Sequence, residues 1–322
     1  MTNNLYKIYV NNLESTINNY SGNNTTLSRL NRILFNSDTN NFTKTIQNKI
    51  IGIHAYKFGL ELLKSNNNIF PTDLEYIVII GGTDINIDIN NIKKEPIIKN
   101  TLFYAKYIIC FNKYLSDRIL MKYKNILDPS KIKLIVQSVG QIDYNVKNNL
   151  LEELVYQKTG MKFNKIFIMV GNIRKVKNPL FVKKAFDNTL KLRKYAVALI
   201  GDIIDDIEIE WTDNFIHLGP IDNKLLPNIY KQASGLINTS DSEGMSTSIL
   251  EAMLYRCPVY AKDIEGNRVI INNMRNGFLF KDVDEFIGLT FLATDDVIEK
   301  AYNYVTKYHS ENREKSLYQQ LF

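Results

Sequence analysis

Short, almost wholly apolar runs recur along this chain, with helix-length segments between them. The clearest are Tyr76–Ile80, Tyr107–Phe111, Lys133–Gln137, Lys165–Val170, Tyr195–Ile200, Phe215–Leu218, Gly235–Asn238, Pro258–Ala261 and Gly277–Phe280. Strands covered on both faces read as continuous apolar runs rather than alternating ones. Helical connections between such strands make right-handed βαβ crossovers in a mainly parallel sheet. The runs are too many for one comfortable open sheet. The expected fold is therefore α/β, with two doubly wound Rossmann-like domains. A chain of 322 residues with 45% apolar side chains has the material for both cores.

The expected division is 1–150 for the first domain and 151–300 for the second. A terminal helical segment, 301–322, is free to return to the first. The strand ending at Val136-Gln137-Ser138-Val139-Gly140 is followed by a polar stretch, Asp143 to Asn149, and a new strand opens at Lys165. In the tail, Tyr302, Val305, Tyr308 and Leu317 have the spacing of inward positions on a helix.

The net charge of +6 fits an anionic ligand or contact with a membrane surface. No dense Lys/Arg block, helix-turn-helix or zinc pattern points to nucleic acid. Cys110 and Cys257 sit in apolar runs and read as buried reduced thiols. With no signal-peptide core near the start and no run of 18 apolar residues, the expectation is a soluble cytoplasmic protein. Asp202, Asp205 and Asp206 lie together after a strand without a His or Cys beside them. They read as a solvated loop, and no metal site is expected.

Two stretches carry chemistry. In Gly171-Asn-Ile-Arg-Lys-Val-Lys-Asn-Pro179 a buried strand ends at glycine, and cations follow at the ligand-binding edge of a parallel sheet. Arg174 and Lys177 have the reach to hold a diphosphate; a solvated basic turn is the plainer reading. Asn178 and Pro179 read as N-cap and first helical residue. In Thr239-Ser-Asp-Ser-Glu-Gly-Met-Ser-Thr-Ser-Ile-Leu-Glu251 a loop enters a helix. Gly244, Met245 and Ser246 offer backbone N–H groups to an anion there. Glu243 alone reads as a loop acid, and Ser248-Ile-Leu-Glu251 alone reads as a capping box. Together, a phosphate in the middle and hydroxyl-rich groups at both ends describe a nucleotide sugar. Gly81-Gly82-Thr83-Asp84 marks a turn after a strand, with Asp84 projecting oxygen above the sheet. His54 follows Ile-Ile-Gly-Ile, and Gly22 could open a glycine loop after a first strand, Lys7 to Val10.

Residues 165–281 resemble the donor domain of retaining glycosyltransferases of family 4, the group 1 glycosyltransferases, with the GT-B fold. The residues that carry this are Gly-Asn-Ile-Arg-Lys-Val-Lys-Asn-Pro, Leu218-Gly-Pro-Ile, Ser240-Asp-Ser-Glu-Gly-Met-Ser, Leu250-Glu-Ala-Met, Pro258-Val-Tyr-Ala and Asn276-Gly-Phe-Leu-Phe. Patches in the first half, His54-Ala-Tyr and Gly-Gly-Thr-Asp-Ile-Asn among them, resemble the glycosyltransferase 1 domain-containing subgroup. The resemblance implies two domains facing across a cleft and metal-independent transfer from a nucleoside diphosphate sugar, without a cofactor. The acceptor, whether glycan, lipid or protein, is left open, as are the nucleotide base and oligomeric state.

It also implies roles. Arg174 and Lys177 neutralise the diphosphate, and Glu251 takes the ribose hydroxyls. Glu243 contacts the donor sugar, while Gly244, Met245 and Ser246 supply N–H groups. His54 stands near the transferred sugar, and Asp84 and Gly22 face the acceptor side. The chain departs from the family at Gly171-Asn172, where Gly-Arg is common, and at Arg256-Cys257 before Pro-Val. It departs again at Glu265-Gly-Asn-Arg-Val and at the reduced glycine loop Ser21-Gly22-Asn23. An epimerase or phosphorylase on the same fold, or a non-catalytic nucleotide-sugar-binding subunit, fits the same motifs.

Overall fold

The computed structural model describes residues 6–9, 22–35, 49–188 and 194–321. The described chain forms two compact units: Met1–Ser138 with Glu311–Phe322, and Val139–Ser310. The division thus falls at Ser138/Val139 rather than at 150/151.

The first unit holds a parallel sheet in the order β1 (Tyr6–Tyr9), β2 (Lys49–Ile53), β3 (Tyr76–Ile79), β4 (Tyr107–Cys110) and β5 (Ile132–Leu134). Its central strands are apolar because helices cover both faces; Ile51, Ile77, Val78, Ile108 and Ile109 are almost fully buried. The Lys133–Gln137 run pairs over a shorter stretch than its composition suggests, and buried Gln137 and Ser138 leave the sheet. Ser138 N–H and Arg29 Nε both donate to the buried Glu314 carboxylate, on the returning helix Glu311–Gln319. That helix and Asp295–Tyr308 are separate, so a single inward spacing does not run through the tail. Val305 is buried in the second unit and Tyr318 in the first, while Tyr308 is 40% exposed.

The second unit has six parallel strands in the order β11 (Phe278–Phe280), β10 (Val259–Lys262), β9 (Gly235–Asn238), β6 (Lys165–Val170), β7 (Tyr195–Ile200) and β8 (Phe215–Gly219). The order reverses between β6 and β9, which pair directly through Phe167↔Gly235 and Ile168↔Leu236. Alternate β6 residues enter two cores. Ile166 and Ile168 join Leu236, Leu250 and Met253 on one face. Phe167 and Met169 join Phe186, Tyr260 and Phe286 on the other. Burying these side chains is the main stabilisation of the unit, at roughly 25 cal/mol per Å² of apolar surface. The free thiols Cys110 and Cys257 are buried, and burial pushes Cys110 up to about 12. Among the described residues no helix is long and apolar enough to cross a membrane.

Candidate functional site

In an open parallel sheet the carboxyl ends of the strands flanking the reversal form a crevice for ligands. Both chemistry-bearing stretches arrive there: one leaves β6, the other leaves its neighbour β9. Gly171 follows β6 at φ 128°. A Cβ on Gly201, at the end of β7, would lie 2.4 Å from Gly171 O, so these two turns touch backbone to backbone. Lys175–Lys177 form a short 3-10 turn, and Asn178 sits in the left-handed region at φ 43°. Its side chain does not cap the Pro179–Phe181 turn as its type suggests. The amide donates instead to Asp241 Oδ1 at 3.1 Å, a bond to the loop after β9. Thr239 Oγ1 donating to Lys177 O at 2.8 Å and Asp241 N donating to Val176 O at 2.9 Å complete that stitching.

The stitched loops bring opposite charges together. Lys177 Nζ donates to Glu243 Oε1 at 2.6 Å, and the same oxygen accepts from Ser240 Oγ at 2.7 Å and Asn238 Nδ2 at 3.2 Å. Burial alone would push the Glu243 carboxyl up. The Lys177 ammonium and the Lys177, Ser240 and Asn238 hydrogen bonds outweigh it and hold the carboxyl below its ordinary value. Arg174 is half-buried, and its guanidinium has no hydrogen-bond or ion-pair partner among the described residues. A cavity at this edge is lined by Gly171, Asn172, Lys177, Asn238, Ser240 and Ser248.

The loop after β9 enters the helix Thr247–Leu254 with Ser246 as N-cap. Gly244 and Ser246 are buried there, and Ser246 Oγ accepts from Asn238 Nδ2 at 3.1 Å. Met245 is half-buried against the core. Ser248 is inside the helix, so the capping-box reading of Glu251 does not hold. Glu251 Oε2 accepts from Tyr230 OH at 2.8 Å. Burial pushes its carboxyl up to about 7, with the tyrosine bond pulling the other way. The two acids are therefore pushed in opposite directions: a cation lowers the Glu243 carboxyl and burial raises that of Glu251.

Residue types alone do not reveal four contributors. Asn238 ends a buried strand, and Ser240 is one hydroxyl among several. Tyr230 has the sequence surroundings of a core residue. Gly266 belongs to the short helix Glu265–Arg268, where its α-carbon approaches the Glu243 backbone. The signal for Asn238 is a polar residue closing an otherwise apolar strand.

In the first unit, His54 follows β2 and precedes the helix Ala55–Ser65 with φ 71°, a strained value for a non-glycine residue that costs about 1–3 kcal/mol. Asp84 does not project above the sheet. It is fully buried in the helix Gly82–Asn86, because backbone donors occupy both its oxygens: Ala55 N at 2.9 Å, Tyr56 N at 3.1 Å and Gly81 N at 2.9 Å. Its Oδ1 also lies 2.6 Å from His54 Nδ1, and Asp88 Oδ2 lies 3.8 Å from His54 Nε2. Atoms of His54, Asp84 and Asp88 within 4.8 Å of one another could in principle bracket a cation. The donor set does not fit one: Asp84 already accepts three backbone N–H groups, and Lys94 Nζ holds Asp88 Oδ1 at 2.7 Å. Gly22 is the first residue of the helix Gly22–Phe35; the loop before it lies outside the described residues.

Residues 156–287 match the family described as Glycosyl transferases group 1. The chain is 28% identical over 292 residues to Glycosyltransferase 1 domain-containing protein 1 of Xenopus tropicalis, covering 84% of this chain and 83% of that protein. It is 28% identical over 208 residues to the UDP-Gal:alpha-D-GlcNAc-diphosphoundecaprenol alpha-1,3-galactosyltransferase of Escherichia coli, covering 59% and 52%. Among solved structures, HepE of Anabaena in complex with UDP-glucose superposes with a TM-score of 0.68 at 13% identity, covering 85% of this chain and 78% of that one. TarM of S. aureus, in complex with UDP, does so with a TM-score of 0.63 at 16% identity, covering 85% and 55%. The chain thus spans about half the length of the E. coli and S. aureus proteins. The fold is GT-B, with two Rossmann-like domains.

Proposed function

We propose that this chain, a glycosyltransferase whose residues 156–287 belong to the group 1 family, moves a sugar from a uridine diphosphate sugar to an acceptor hydroxyl, with retention and without a metal ion. The observation that carries this reading is the Lys177–Glu243 contact, 2.6 Å long, at the carboxyl edge of the reversing strands. A cation for the diphosphate and an acid for the sugar hydroxyls stand side by side there, with Arg174 half-buried on the same loop as Lys177. The uridine part is supported by relatives whose names carry UDP.

In the reaction, the bond between the anomeric carbon and the diphosphate oxygen breaks and negative charge gathers on the diphosphate. Arg174 and Lys177 stabilise that charge more in the transition state than before it. The acceptor oxygen attacks from the face the diphosphate leaves, and its proton passes to a departing phosphate oxygen. Glu243 orients the sugar and Glu251 accepts from the ribose hydroxyls. The resemblance gives His54 a role at the transferred sugar.

A panel of nucleotide sugars tests the donor by thermal shift: a ligand at a hundred times its Kd adds about 2.7 kcal/mol of stability. The donor selected is then incubated with sugar, lipid and peptide acceptors. Transfer with unchanged anomeric configuration, undiminished by EDTA, is the expected result. UDP release that needs no acceptor would favour epimerase chemistry instead, and sugar phosphate formed from inorganic phosphate a phosphorylase. Tight donor binding with no turnover across the panel would leave a binding subunit.

A further inference from the structure

Asp84 is fully buried and His54 is 6% exposed. Their side chains meet at 2.6 Å, Nδ1 to Oδ1. Two lone pairs facing at that distance would repel, so a carboxylate that already accepts three backbone N–H groups favours a hydrogen on Nδ1. The contact does not meet hydrogen-bond geometry, and buried Nδ1 has no hydrogen-bond partner among the described residues. At the opposite corner of the ring, Nε2 lies 3.8 Å from Asp88 Oδ2, beyond hydrogen-bond reach. Lys94 holds the other Asp88 oxygen at 2.7 Å, which fixes that carboxylate in place. The histidine backbone is pinned as well. His54 N donates to Ile79 O at 3.0 Å, and the next two N–H groups, of Ala55 and Tyr56, go to Asp84. One carboxylate thus grips both the peptide segment that carries the strained φ of 71° and the ring itself.

We propose that Asp84 is a positioning residue for His54: it places the hydrogen on Nδ1, sets the ring orientation and leaves Nε2 as the nitrogen offered to substrate. The idea rests on the role given to His54 at the transferred sugar. A purely structural alternative is that Asp84 caps the helix Ala55–Ser65 and the ring merely packs beside it. The two differ in what they demand of the imidazole, since a cap has no reason to select a tautomer.

The deciding experiment is long-range 1H–15N NMR on the full chain labelled at histidine, recorded at alkaline pH, with His54→Gln to assign the signal. The expected result is His54 as the Nδ1–H tautomer in the wild type, with that preference lost in Asp84→Asn. An Nε2–H tautomer in the wild type overturns the proposal, and this arm needs no variant of Asp84 to fold. Turnover of the best donor in the panel supplies the second arm. Asp84→Asn is expected to lower kcat on the order of a hundredfold, the scale of a misplaced group, with donor Kd unchanged. In a His54→Ala background the same substitution should cost nothing further. An equal loss in both backgrounds would show that Asp84 acts through the fold rather than through His54. If His54→Ala transfers at the wild-type rate while the wild-type spectrum shows Nδ1–H, the catalytic role of His54 fails and the positioning by Asp84 stands.

Discussion

Lys177 Nζ and Glu243 Oε1 lie 2.6 Å apart, joining the loops that leave two adjacent strands at the reversal of the second sheet. The two groups neutralise each other. Burial and charge divide control of Glu243, and a pH-dependent stability is the testable consequence. Burial raises its carboxyl and Lys177 lowers it, and the net position is below the ordinary value of 4.5. A depressed carboxyl contributes stability above its unfolded pKa and loses it as pH falls through the folded value. Lys177→Met removes the largest lowering influence and leaves the Ser240 and Asn238 bonds, so the carboxyl rises from its depressed position and the stability gained from ionising it shrinks. The variant should be less stable than the wild type by about 1–3 kcal/mol at neutral pH, with the gap closing in acid. Urea melts across pH read this directly; a gap that is constant with pH means that Lys177 does not hold Glu243 ionised. Lys177→Ala and Glu243→Ala should each remove most transfer activity.

Glu251 gives the opposite pH signature. Burial raises its carboxyl to about 7. Its contribution to stability is therefore present below the unfolded pKa and lost as pH rises through about 7. Glu251→Gln should match the wild type in acid and be more stable by up to about 2–3 kcal/mol in mild alkali, if Gln keeps the Tyr230 bond. Donor hydroxyls donate best to the ionised form, so donor affinity should rise with pH through the same window. Calorimetry in buffers of different ionisation enthalpy measures the proton released on binding. No release, with a flat affinity, means that the carboxyl is already ionised in the free protein.

Much of the fold, and the place of the candidate site in it, is legible in the residues because chemistry and architecture use the same punctuation. A buried parallel strand is an apolar run, and the loop at its carboxyl end is the ligand edge; Gly171 to Lys177 and Asn238 to Ser246 can both be found that way. β2 is less legible, because Gly52 interrupts Lys49-Ile-Ile-Gly-Ile. The interruption has a tertiary cause: a Cβ there would lie 2.1 Å from the Phe58 ring. Asp84 defeats a sequence reading for the same kind of reason. Its donors at Ala55 and Tyr56 are remote in sequence, so a turn-like Gly-Gly-Thr-Asp string gives no hint that the carboxylate folds inward. Tyr230 is indistinguishable from core until its hydroxyl is seen to meet Glu251.

Arg174 should separate binding from stability. Its guanidinium has no hydrogen-bond or ion-pair partner among the described residues, so Arg174→Ala breaks no polar contact of the fold. The loss of a charge-assisted, forked contact to a diphosphate should weaken UDP binding by about 10- to 100-fold, with stability unchanged within about 0.5 kcal/mol. Arg174→Lys should recover only part of the affinity, since a point charge cannot reproduce the fork. Titration with UDP and a thermal melt on the same samples test both halves. Wild-type affinity in Arg174→Ala would remove it from the diphosphate site.

Gly266 tests whether the position of Glu243, rather than its charge alone, matters for transfer. A Cβ at Gly266 would stand 2.2 Å from Glu243 O and 2.8 Å from its carbonyl carbon. Both are backbone atoms, so no rotamer change relieves the clash and the loop after β9 must move. Gly266→Ala should destabilise the protein by about 1–3 kcal/mol, as overpacking does. It should also cut turnover on the order of a hundredfold, because the displaced loop carries Glu243 away from Lys177. Gly288, in the helix Val283–Leu289, is the control: nothing stands within 4 Å of its added Cβ. There, alanine should be neutral or stabilising by up to about 1 kcal/mol and leave turnover unchanged. If Gly266→Ala transfers sugar as fast as Gly288→Ala, close approach to the Glu243 backbone is not what sets the site.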